Sequence, residues 1–68
     1  MHIEYIEGEW VYTLSPYKSR DKDYLIVRRA PLKDSNDWIG WSGPYADAPI
    51  SEEMRAYLDR ALKLKAFW

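Results

Sequence analysis

Tyr24-Leu25-Ile26-Val27-Arg28-Arg29 is the stretch from which the fold can be read. It joins aromatic and β-branched residues in an unbroken apolar run, and Pro31 follows closely enough to end it. That composition predicts a strand. Because the apolar residues do not alternate with polar ones, the strand is expected to be central, with both faces at least partly covered.

Two shorter strands are expected upstream, over residues 2–6 and 10–14. In the first, Ile3 and Tyr5 share one face while His2, Glu4 and Ile6 share the other. In the second, Trp10, Tyr12 and Leu14 face one way and Val11 and Thr13 the other. Glu7-Gly8-Glu9 between them suits a three-residue hairpin turn, since only glycine takes positive φ cheaply. A single bent strand over residues 3–14 is the alternative. Ser15-Pro16 closes this unit, and residues 17–23 read as a polar connection.

Downstream of the central strand, residues 31–37 form a second connection. Trp38-Ile39-Gly40-Trp41 is a short fourth strand, and the turn-rich residues 42–49 are expected to be irregular. The chain closes on a helix over about 52–66. Ser51 is placed to cap it, and Glu52 and Glu53 lie at its positive end. A 3.6-residue period puts Met54, Tyr57, Leu58, Ala61, Leu64 and Trp68 on one face. Arg55, Asp59 and Lys63 fall opposite, as two i,i+4 charge pairs. The expected fold is therefore α+β: a single domain, 1–68, with an antiparallel three- or four-stranded meander packed by one C-terminal helix.

Four Trp, six Tyr and one Phe stand against one His and no Cys in 68 residues. Each aromatic can remove about 150–250 Å² from water, so a few of them can build the core of so short a chain. Disulfides are excluded. Catalytic chemistry is sparse: His2 sits at the flexible start, and the acidic pairs Asp21/Asp23 and Asp34/Asp37 lack calcium-loop spacing. Ser35, Ser42 and Ser51 have no evident base, and Gly40-Trp-Ser-Gly43 lacks the spacing of a nucleophile elbow. No enzyme, cofactor or metal site is expected. With no apolar run of membrane-spanning length and no basic leader, the expected setting is cytoplasmic, with no membrane partner.

Protein binding is the function that this composition favours. Trp38, Trp41 and Tyr45 cluster around Gly40, Gly43 and Pro44, and Phe67 and Trp68 end the chain. Trp and Tyr are the residue types that dominate interface cores, so these five are the candidate interaction residues. Strand alternation sends Trp38 and Trp41 to opposite faces, so at most one belongs to the core unless the strand bends at Gly40. The apolar surface exceeds what one helix can cover, which points to a homodimer. Charge alternates in blocks, net −3 over residues 1–14, +3 over 15–34, −4 over 35–53 and +3 over 54–68, with an overall net charge of −1. Such blocks suit a mixed-sign protein interface. The expected function is a small interaction module, an inhibitor or adaptor of the kind that phages also encode.

The alternatives are a structural homo-oligomer and a nucleic-acid-associated accessory protein. The second would use Lys18, Arg20, Lys22, Arg28 and Arg29, with Tyr17 and Tyr24 near in sequence for base stacking. Asp21, Asp23 and Asp34 interrupt that basic set, which lowers its capacity to collect phosphates.

Overall fold

A computed structural model describes residues 1–34 and 36–64. Four strands, β1 (Ile3–Glu7), β2 (Trp10–Ser19), β3 (Lys22–Pro31) and β4 (Ile39–Pro44), form one antiparallel sheet in the order β1-β2-β3-β4. A 3₁₀ turn (Tyr45–Asp47) follows, then the helix α1 (Glu52–Leu64). This is the expected α+β meander with four strands.

The strands run longer than the composition suggests, and both hairpins are tighter. Glu7 pairs with Trp10, so the first loop is the two residues Gly8-Glu9 rather than three. Gly8 takes φ 63°, the role for which glycine is suited. The second correction is larger. Residues 17–23 are not a loose connection: Ser19 pairs with Lys22, and β2 and β3 extend into a long ribbon closed by Arg20-Asp21 alone. Pro16 lies inside β2 without breaking it. Pairing with β1 ends at Leu14, so beyond that residue β2 has a neighbour on one side only and can lack an N–H.

Arg20 and Asp21 both take positive φ, 51° and 64°, at a turn where Asn-Gly is the preferred pair. Left-handed backbone costs an ordinary residue about 1–2 kcal/mol. The double substitution Arg20→Asn/Asp21→Gly is therefore expected to raise Tm by at least about 4 °C in a calorimetric scan. An unchanged midpoint would show that the turn carries no such cost.

β4 begins one residue later than Trp38 and runs on to Pro44, so the first three residues of the segment expected to be irregular are strand. Alternation then defines two sheet faces. Ile3, Tyr5, Trp10, Tyr12, Leu14, Leu25, Val27 and Trp41 join the face under the helix, where Leu14, Leu25, Met54, Leu58 and Leu62 are fully buried. Central β3 is thus covered on that face, while Ile26 on the other is 38% exposed, only partly covered.

Ser51 caps α1 as expected, its Oγ accepting from the Met54 N–H at 3.1 Å while its hydroxyl donates to Glu7 of β1. The helix is turned from the expected orientation. Leu62 is buried with Met54 and Leu58, whereas Leu64, expected on the apolar face, is 82% exposed and Tyr57 is exposed at the edge, beside Tyr5. Arg55 departs from expectation as well. Instead of pairing with Asp59 in solvent, it turns inward and donates to the carbonyls of Tyr45 (2.9 Å) and Ala48 (3.1 Å). Asp59 accepts from the Tyr45 hydroxyl, and among the described residues the one salt bridge is Lys18–Asp23. Neither expected i,i+4 pair on the helix forms.

Candidate functional site

The helix leaves one end of its sheet face open. There, Tyr12 of β2, Val27 and Arg29 of β3 and Ile39, Gly40 and Trp41 of β4 surround a hollow of about 250 Å³, with Pro49 closing the helix side. Register brings these residues together: Arg29 pairs with Tyr12 on one side and Ile39 on the other, and Val27 pairs with Trp41.

Arg29 is the one charged residue of this lining. Its guanidinium carbon lies 4.6 Å from the ring centroid of Trp10, stacked as a cation on an aromatic face. Among the described residues it has no ion pair and no side-chain hydrogen bond. A half-buried guanidinium fixed by an aromatic ring, with its donors unspent, is suited to receive an acidic or carbonyl group.

Trp41 owes its position to Gly43. The two share a face of β4, and a Cβ at residue 43 would stand 2.9 Å from the Trp41 ring, closer than such atoms approach. Glycine therefore lets the indole lie back along the strand and form the wall of the hollow. Gly43→Ala is expected to lift that ring and alter near-ultraviolet circular dichroism while the far-ultraviolet spectrum stays unchanged. Identical near-ultraviolet spectra would mean that Gly43 does not set the ring.

The expected interaction residues are dispersed. Trp41 is at the hollow. Trp38 is on the opposite side of the sheet, 4.9 Å from the Arg28 guanidinium, as alternation required. Tyr45 is no free anchor: it packs against the core, donates to Asp59 and lies under Arg55 at 4.9 Å. Phe67 and Trp68 fall outside the described residues.

The basic set is divided as well. Lys18, Arg20 and Lys22 surround the β2–β3 turn, and Lys18 is paired with Asp23. Arg28 and Arg29 are six or more positions along β3, about 20 Å away, and point to opposite faces. Tyr17 and Tyr24 do stack, with centroids 5.3 Å apart, on the face away from the helix.

Of the seven residues lining the hollow, Trp41 alone belongs to the expected interaction residues, and Arg29 belongs to the expected nucleic-acid set. Arg29 carried a usable signal: the alternation that buries Leu25 and Val27 places it next on the same face.

Tyr45 holds the connection before the helix, and its hydroxyl is pushed well above its ordinary pKa. Burial is the largest cause, followed by the hydrogen bond and negative charge of Asp59, with Arg55 acting in the opposite direction. The folded chain thus holds this proton more tightly than the unfolded chain. The contribution is complete below the unfolded-state pKa near 10 and declines as pH rises past it. The stability gap between wild type and Tyr45→Phe in urea should accordingly shrink between about pH 8 and about pH 11. A gap that is constant over this range would contradict the assigned hydrogen bond.

Compared with known proteins, the chain matches no family model, no curated protein and no solved structure. No helix among the described residues is long and apolar enough to cross a membrane.

Proposed function

We propose that this protein is a small non-enzymatic interaction module, an inhibitor or adaptor, that seats one anchor side chain of a partner protein in the hollow between β2, β3, β4 and Pro49. The supporting observation is the Arg29 guanidinium, which has no ion pair among the described residues and lies over Trp10 at the rim of an aromatic-walled space. At about 250 Å³ the space is smaller than the usual pocket for a cofactor or drug-sized ligand and larger than a cavity that holds benzene. It suits one side chain. A pre-organised aromatic pocket receiving a single anchor is the arrangement that concentrates binding energy at protein interfaces. The cysteine-free composition goes with a cytoplasmic setting.

The test is affinity capture from source lysate, treated with nuclease, using wild type, Gly43→Ala and Trp38→Ala. Wild type and Trp38→Ala are expected to retain one stoichiometric protein that Gly43→Ala loses while remaining folded. Loss with Trp38→Ala alone would move the interface to the other face, and loss on nuclease treatment would favour nucleic acid.

A second reading is self-association through the uncovered face, favoured by exposed Ile6 (63%) and Ile26 (38%) on the side away from the helix. Under it, light scattering would give twice the chain mass at micromolar concentration. A monomer mass at every concentration would exclude it.

A further inference from the structure

We propose that the hollow recognises the C-terminal residue of a partner polypeptide ending in an apolar side chain, with Arg29 binding the terminal carboxylate. This rests on the reading of the hollow as the docking site and specifies what enters it. Two requirements meet within one small volume. The walls formed by Tyr12, Val27, Ile39, Trp41 and Pro49 call for apolar bulk, and the one charged lining residue, Arg29, calls for an anion. The space admits one side chain, so both features belong to a single residue of the partner. Within a polypeptide, an apolar residue carries its own carboxylate only at the C-terminus. An internal Asp or Glu would have to place its carboxylate at Arg29 while a different residue filled the hollow.

The guanidinium is prepared for this role. Its carbon sits over the Trp10 ring, while the carboxylate of β1 on this face, Glu7, accepts from Ser51 and is not paired with Arg29. Arginine's fork matches both carboxylate oxygens, and a pre-oriented fork loses little freedom on binding. On the opposite sheet face, Arg28 lies over Trp38.

The experiment uses three short peptides titrated into the intact protein by calorimetry and followed by NMR. They are N-acetyl-Gly-Gly-Phe as the free acid, the same peptide as its amide, and an amide-capped peptide with internal Phe-Asp. Hydrogen bonds to a charged group carry enough free energy that the free acid should bind at least about tenfold more tightly than the amide. Arg29→Gln should abolish the difference without unfolding the chain, because Arg29 is only half-buried. Gly43→Ala should weaken acid and amide together. Equal affinity for acid and amide, both sensitive to Gly43→Ala, would overturn the carboxylate assignment and leave the hollow as the docking site. Preference for the internal Phe-Asp peptide would overturn the C-terminal assignment. If no peptide binds and no resonance of the lining residues moves, the C-terminal proposal falls. Failure of the wider reading is judged separately, by whether Gly43→Ala still captures the partner protein.

Discussion

Leu58→Ala is expected to destabilise the protein by about 3–5 kcal/mol. Leu58 is fully buried midway along α1, between Met54 and Leu62, and faces Leu14 and Leu25 across the core. Truncating such a leucine costs about 3–5 kcal/mol, part of it lost transfer free energy and part the cavity left behind. A chain of this length has a total stability on the order of 3–10 kcal/mol, so the single change removes a third of it or more. The core has no other layer to take up the loss. Urea denaturation followed by tryptophan fluorescence measures the effect. Leu64→Ala on the same helix is the control, because Leu64 is exposed and its loss should shift stability by no more than about 0.5 kcal/mol. Equal effects at the two positions would contradict the helix orientation described above.

Arg55→Ala should have the next largest effect, on the order of 2–3 kcal/mol, and should act through the connection rather than the core. Arg55 donates to the carbonyls of Tyr45 and Ala48 and covers the Tyr45 ring, holding residues 45–48 against α1. Hydrogen bonds from a charged donor contribute more than neutral ones, and without them each carbonyl keeps only its backbone partner, the Ala48 N–H for Tyr45 and the Ile50 N–H for Ala48. Pro49, which closes the hollow, follows directly on this segment. Stability and partner binding should therefore fall together in Arg55→Ala. Arg55→Lys, with one compact ammonium in place of a fork, should recover only part of either. Full recovery by lysine would show that charge alone holds the segment.

The contrast between these two sites indicates what sequence patterns can reveal. Leu58 and Met54 are legible from period alone, because apolar residues four apart on a capped helix leave few alternatives. Ser51 was legible for the same local reason. Arg55 was not: an arginine on a helix normally faces water, and only the arrival of the Tyr45–Ala48 carbonyls beside it gives it inward partners. Leu62, four residues beyond Leu58, takes the core place expected of Leu64.

The sheet follows the same division. Alternation correctly separated Trp38 from Trp41 and put Tyr12 with Leu14. The length of the β2–β3 ribbon was hidden because Arg20-Asp21 carries no glycine, and two ordinary residues at positive φ leave no compositional mark. The hollow itself depends on register. Arg29 meets Trp10, Tyr12 and Ile39 only once three strands are aligned, so local alternation shows its face but not its neighbours.

The four tryptophans allow the central claim to be tested in one measurement. Trp10 and Trp41 flank the Arg29 end of the helix-side face, and Trp38 lies on the opposite face. Their indole N–H resonances in ¹⁵N-labelled protein can be assigned by single substitution and followed as the captured partner is added. The account predicts that the Trp10 and Trp41 signals shift or broaden at stoichiometric partner while Trp38 stays in place. A shift at Trp38 with Trp10 and Trp41 unmoved would put the partner on the uncovered face and contradict it.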